Sequence, residues 1–249
     1  METANLILLL IVSLFSSVIG SVIGTAMLIL PPAMIFLGIP VHTAIATARF
    51  SMLGIATGNL ARFSMKEKIK LRYVLPFALA GIIGSLISSL FLKHINEEIL
   101  KKAIGIIMIS ISLLVFFEDR IKPKKGKTRA TMNHHAISAI GGFFVGGYIG
   151  IIGGGGATII IFLLVLIYGL SFQDALANQK AVTLPISIIT TVVFVYQGLI
   201  DYGLGVPLLL VNIAGGWIGA ELILKFKNTW LKRILVPVIM LMALGLLFS

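Results

Sequence analysis

Two stretches of this chain place polar and charged side chains inside otherwise apolar sequence, and they share a pattern. The first is GIPVHTAIATARFS, Gly38 to Ser51. On a helix starting near His42, the side chains of Thr43, Thr47 and Ser51 recur every four residues and share one face, with the cation Arg49 further along. The second is GLSFQDALANQKAVT, Gly169 to Thr183. There Asp174, Asn178, Lys180 and Thr183 take comparable positions, and Gln173 and Gln179 add donors. A charge at the centre of a bilayer costs from about 2.5 kcal/mol upward, so it faces a cavity or a partner. Arg49 and Lys180 at pseudo-symmetric depth would make an electropositive centre suited to a small anion. The alternative is structural: Arg49 pairs with an acid or snorkels to an interface. Lys180 would then pair with Asp174, although their separation along a helix is a poor one for contact.

A glycine run, GGYIGIIGGGGAT, ends in Gly153, Gly154, Gly155 and Gly156. No Lys-Ser or Lys-Thr follows it, so it is not a phosphate-binding P-loop. Between apolar runs it reads as a break in a membrane helix, exposing backbone N–H groups that can hold an anion. Close helix packing is its other use. The stretch GSVIGTAMLILPP, with Gly24 and Thr25, breaks similarly. Asp174 lies in a first turn, where it can cap the helix. His42 opens a helix, as an interfacial residue would. These two are the candidates for a coupling ion, H+ or Na+. No Ser-His-Asp set, HExxH helix or paired carboxylates can be assembled, and there is no cysteine. The residues therefore predict no enzyme, no metal site and no cofactor.

The elements that must position these residues are set by composition. Hydrophobic residues are 58% of the chain and charged residues 12%, with mean hydropathy +1.09. Soluble domains run at about 45–50% and 25%. The apolar residues come in long continuous runs near the length of a spanning helix, without the short alternation of a membrane β-barrel. The runs are 5–39, read as two segments broken by Gly20, Gly24 and Pro31-Pro32, then 42–63, 73–92 and a fifth ending near Phe117. After the linker come 136–152, 157–170, 171–196, 206–224 and 234–248. The net charge is +11, but the cations cluster in short loops, which argues against nucleic-acid binding. No cleavable signal peptide is expected.

The halves repeat. A constant shift carries Gly24 onto Gly155, Ala44 onto Ala175, Arg49 onto Lys180, Pro76 onto Pro207 and Gly84 onto Gly215. Glycine, proline and cations punctuate helices, so their coincidence carries more weight than overall identity. The basic loops at 64–72, 118–135 and 225–233 are expected in the cytoplasm. The repeat partner of the first of them, around Asp201, is not basic, so the halves should be inverted, with both termini outside. The expected fold is all-α: a polytopic membrane protein of two inverted-topology repeats, each of about five segments with Gly-broken or re-entrant helices. The first repeat would be 1–118, the basic cytoplasmic linker 119–134 and the second repeat 135–249. This is the recurrent architecture of secondary transporters.

The paired G-(I/L)-x-x-(H/Q)-x-A-(I/L)-A-(T/N) stretches, each followed by a cation, together with GIIGGGGAT and ALANQKAV, resemble the sulfite exporter TauE/SafE family over essentially the whole chain. The resemblance implies export of sulfite, organosulfonates or related sulfur-containing anions across the plasma membrane, with no ATP-binding domain. It carries over Gly153 to Gly156, Asn178, Gln179 and Lys180, with their partners Gly24, Thr25, Thr47 and Arg49. The first half departs from the pattern in having Pro31-Pro32 and one glycine where the second half has four. The expectation is a secondary transporter alternating access around a central cationic site, with the lipid bilayer and a small anion as partners and room for a homo-oligomer. The alternatives are a passive anion channel and a membrane-embedded subunit without transport activity.

Overall fold

Runs of Leu, Ile and Val set off by Gly and Pro form ten α-helices among the described residues, which in the computed structural model are 3–23, 25–63, 69–116, 131–225 and 229–248. Gly24, most of the basic linker, and parts of the basic loops at 64–72 and 225–233 fall outside these residues, as does the Gln173 side chain. The first half contains α1 (Thr3–Ile23), a 3-10 turn (Ala26–Leu28), α2 (Leu30–Phe36), α3 (Val41–Phe63), α4 (Leu71–Phe91), a second 3-10 turn (Leu92–His94) and α5 (Glu97–Phe116). The second contains α6 (Met132–Ile151), α7 (Gly156–Tyr168), α8 (Phe172–Tyr196), α9 (Tyr202–Lys225) and α10 (Thr229–Phe248). Among the described residues, four stretches are long and apolar enough to cross a membrane: Thr3–Ser21, Leu71–His94, Asp174–Tyr196 and Tyr202–Leu222. Helix α3 is as long but more polar. Large apolar side chains such as Ile11, Leu79, Phe144 and Leu241 are exposed, as a surface solvated by lipid requires. The chain is a polytopic helical membrane protein.

Two helices are short. Seven residues in α2 and thirteen in α7 give about 10 and 20 Å at 1.5 Å per residue, less than the roughly 30 Å of bilayer hydrocarbon. Helices α2 and α7 are therefore too short to cross, and each forms a hairpin with the long helix before it. Pro31 and Pro32 begin α2, where a missing N–H is tolerated. In the second hairpin the break is made by Gly153 and Gly155, both at positive φ (76° and 77°), a region open to glycine at little cost.

Glycine faces fix which helices run together. A Cβ on Gly142 would strike the Phe77 backbone, one on Gly146 would strike Gly81, and one on Gly150 would strike Ser85, so α4 and α6 are parallel and backbone to backbone. Ser13 bonds Asn212, and Gly219 abuts Ser21, so α1 and α9 are parallel. Gly54 and Gly58 lie against Leu209 and Ile213, so α3 and α9 are parallel. Lys70 meets Asn178 and Leu90 meets Gln197, so α4 and α8 are parallel. Helices α1, α3 and α9 thus point one way and α4, α6 and α8 the other. One face of the molecule carries Ile69, between α3 and α4; the opposite face carries Gly38, between α2 and α3.

The pairing crosses the midpoint of the sequence. Helix α4, from the first half, packs on α6 and α8; helix α9, from the second, packs on α1 and α3. The core is divided accordingly. One cluster is built from α4, α6, α7 and α8, around Phe77, Val145, Ile160, Tyr168 and Ile186. The other joins α1, α2, α3, α5, α9 and α10, around Leu9, Met34, Ile45, Met108, Leu208 and Ile239. The second cluster also takes in Ile152 and the far end of α8 at Val193 and Phe194. Inside it, Asn212 accepts from the Ser13 hydroxyl at 2.8 Å and donates to Ser51 at 3.1 Å, all three fully buried.

Candidate functional site

A cavity of about 560 Å³ lies between the two clusters. Its lining includes Arg49 and Asn59 of α3, Ser21 of α1, Gln179 and Lys180 of α8, and Gly153 of the α6–α7 break. It runs from Arg49 and Gly153 towards the face where α3 ends and α4 and α8 begin, taking in Asn59 and Ile69. On the Gly38 face the clusters close over it through Ile152, Val193 and Phe194.

Arg49 is the deepest charge. It is 4% exposed. Its Nη2 donates to the Ile149 carbonyl at 2.6 Å. That carbonyl sits in the last turn of α6, where helix carbonyls lack intrahelical partners and carry the negative end of the helix dipole. The guanidinium fills the space where Gly153 has no side chain, and a Cβ there would overlap it. Its Nε is buried with no hydrogen-bond partner among the described residues. A buried charged donor left unmatched costs more than the 1–3 kcal/mol of a neutral one, so the arrangement is suited to an acceptor arriving through the cavity.

Lys180 lines the same cavity from α8, with Nζ buried. Arg49 is eight residues into α3 and Lys180 eight residues into α8, so each lies about 12 Å from the start of its helix. Because α3 and α8 start at opposite faces, the two cations bracket the middle of the molecule. Gln179 donates to the Thr183 hydroxyl at 3.0 Å, and both residues line the cavity.

Other predicted site residues are placed elsewhere. Asn178 is buried, but its Oδ1 accepts the Lys70 N–H at 2.7 Å and its Nδ2 donates to the Asp174 carbonyl at 2.7 Å. Thr47 is also buried, with its hydroxyl accepting the Asp201 N–H at 2.9 Å. The Asp174 carboxylate pairs with Lys70 Nζ at 3.0 Å, and its backbone N–H donates to the hydroxyl of Ser171, which caps α8. His42 sits on the Gly38 face, its ring nitrogens 3.1 Å from Glu97 Oε1 and 2.9 Å from the Ile95 carbonyl. Thr25 precedes the first 3-10 turn, and its buried hydroxyl has no partner among the described residues. Gly154 packs on Met27 and Leu28, Gly155 on Ile111, and Gly156 on Ile149. Gly154 thus brings the two hairpin tips together. The structure also adds Asn59, 7% exposed with an unpartnered Oδ1. A lone amide near the end of an apolar run was the signal for it. Among the described residues no cluster of His, Cys, Asp or Glu could hold a metal.

The sequence profile described as "Sulfite exporter TauE/SafE" matches residues 9–246. The chain belongs to that family. It is 23% identical to a "Probable membrane transporter protein" of Haemophilus influenzae over 98% of this chain and 95% of the relative. It is 21% identical to the "Probable membrane transporter protein YfcA" of Escherichia coli K12, over 97% and 89%, and 22% identical to "YdhB" of Bacillus subtilis, over 95% and 96%. The TauE/SafE match covers both hairpins and both cations, so the cavity lies within the family's shared region.

Proposed function

We propose that this TauE/SafE protein is a secondary transporter, working as an exporter, for a small sulfur-containing oxyanion such as sulfite or an organosulfonate. The observation that carries this reading is the buried Arg49, with an unmatched Nε, on the wall of a cavity that reaches one face. Arg49, Lys180 and Gln179 would hold the anion, with Gly153 making room for the guanidinium. Asn178 and Thr47 would support the site through the backbone they hold, Thr25 through its buried hydroxyl in the first hairpin, and Gly154 to Gly156 through the turn they allow, with Gly24, outside the described residues, assigned beside them as the repeat partner of Gly155. The two halves, 1–118 and 135–249, would be inverted repeats, and access would alternate between faces. The Ile69 face, with the basic loops, would be cytoplasmic and both termini outside, so the cavity described above would open inward. An H+ or Na+ gradient would supply the drive.

The test is flux of radiolabelled sulfite and of a labelled sulfonate in proteoliposomes, for the unaltered chain, Arg49→Ala and Lys180→Ala. Saturable flux lost in both variants supports the site. Flux unchanged in both returns the cations to a structural role. Counterflow separates a carrier from a passive channel, because only a carrier shows it.

A further inference from the structure

The architecture points to moving parts that are not the two halves of the sequence. We infer that the transporter works as two interleaved bodies, one of α1, α3 and α9 and one of α4, α6, α7 and α8, which rock about their contact at the Gly38 face. The inference rests on the reading of this chain as an alternating-access carrier.

Three observations support it. First, each body is fastened internally by contacts too close to slide. Gly142, Gly146 and Gly150 put the α6 backbone against α4, and Gly54, Gly58 and Gly216 put α3 against α9. Packed interfaces of this kind are either together or apart and do not deform continuously. The buried Ser13–Asn212–Ser51 set further ties α1, α9 and α3. Second, the bodies are centred on different hydrophobic cores, which adjoin at the α6–α7 break and at the far end of α8. Third, the cavity lies along their boundary: Ser21, Met52, Ala56 and Asn59 face it from one body, Ala177 and Ala181 from the other. The bodies touch at Val193 and Phe194 of α8, at Ile152, and at the Arg49 bond to the Ile149 carbonyl; these contacts lie on the Gly38 side of the cavity, which places the pivot there.

In this arrangement α4 travels with the second half and α9 with the first. Thr47 and Asn178 then become positioning residues. Each binds the backbone N–H at the start of the crossed-over helix in its own body, Asp201 before α9 and Lys70 before α4.

The chain lacks cysteine, so thiol pairs can be introduced without removing any. Two pairs join the sequence halves but lie within a body: Ser13→Cys with Asn212→Cys, and Leu90→Cys with Gln197→Cys. A third, Ala56→Cys with Ala181→Cys, spans the cavity between bodies. Each is bridged by oxidation or a short thiol cross-linker, bridging is scored by mobility shift, and flux is compared with the same sample after reduction. Interleaved bodies predict that the first two bridged pairs keep flux to within about twofold, as rocking of whole units requires, while the third loses it reversibly. Loss of flux on bridging either within-body pair, recovered on reduction, overturns the proposal, because then the sequence halves move past each other. Retention of flux by the bridged cavity pair overturns it as well. Counterflow by the unbridged protein is measured separately. Its absence removes the carrier reading itself, whereas counterflow with inactive within-body bridges removes only the interleaved bodies.

Discussion

The Asn178 amide oxygen accepts the backbone N–H of Lys70 at 2.7 Å, and this contact has a counterpart at the opposite face. Thr47 and Asp201 are the positions that the repeat shift assigns to Asn178 and Lys70, and they make the same bond at 2.9 Å. One is an amide and one a hydroxyl, so the role has been kept while the residue type differs. Asn178→Ala and Thr47→Ala remove the partner of a part-buried N–H at a helix start and should each cost about 0.5–1.5 kcal/mol of stability. Thermal unfolding in detergent checks this. Anion affinity should stay unchanged, and a weakened affinity without loss of stability would return these residues to the ligand.

Gly153 and Arg49 should behave as one unit. Gly153→Ala adds a Cβ inside the guanidinium's volume, so it should lower flux as far as Arg49→Ala does. The double variant should be no worse than either single one, which is the signature of residues sharing one function. A full set of four flux measurements gives the coupling.

Asn212 holds three helices by two bonds. Asn212→Leu removes both and leaves the buried hydroxyls of Ser13 and Ser51 without it, so stability should fall by about 1–3 kcal/mol. Thermal melts read the loss. Restoring apolar shape throughout, with Ser13→Ala and Ser51→Ala added, should recover part of it.

Gly146→Val tests the α4–α6 seam. No room exists for a side chain against the Gly81 backbone. Overpacking costs about 1–3 kcal/mol even where neighbours can shift, and backbone cannot. Gly147, whose Cβ position has only the Gly84 carbonyl nearby at 3.7 Å, should tolerate Gly147→Ala. Yield of folded protein on size exclusion separates the two.

Phe194 is fully buried where the cores meet. Phe194→Ala should cost about 3–5 kcal/mol if the site cannot collapse. It should also admit a membrane-impermeant thiol reagent from the Gly38 face to Met52→Cys on the cavity wall of the same chain. Labelling rates with and without the Phe194 change decide this.

The sequence was informative about segments and less so about partners. The ten apolar runs, the glycine break at 153–156 and the cations in their midst are local properties, carried by composition and punctuation, and they appear in the structure where the runs lie. Helix starts were less legible: α9 begins at Tyr202 and α10 at Thr229, earlier than the apolar runs, because a helix continues past polar residues once tertiary contacts hold it. The pairing of α4 with α6 could not be read from either helix alone, since a glycine face does not name its partner. For the same reason the shared face of Thr47 and Ser51 was legible but not its use: Thr47 turns to the Asp201 backbone and Ser51 to Asn212. Arg49 was found by the expense of its charge. The Ile149 carbonyl that receives it was not, because every residue has a carbonyl and only the helix break leaves this one available.

The crossing of α4 and α9 also bears on how the chain is made. Helix α4 enters the bilayer well before α6 and α8 have been synthesised, so its glycine face must wait in lipid for a partner still to come. The α1–α3 pair waits longer still, for α9. Neither half alone can complete its body, and a fragment ending after α5 would carry two unfilled seams. Separate synthesis of the two halves in one cell should nevertheless assemble the protein, because the seams are complementary, and quality-control proteolysis of either fragment should fall when the other is present.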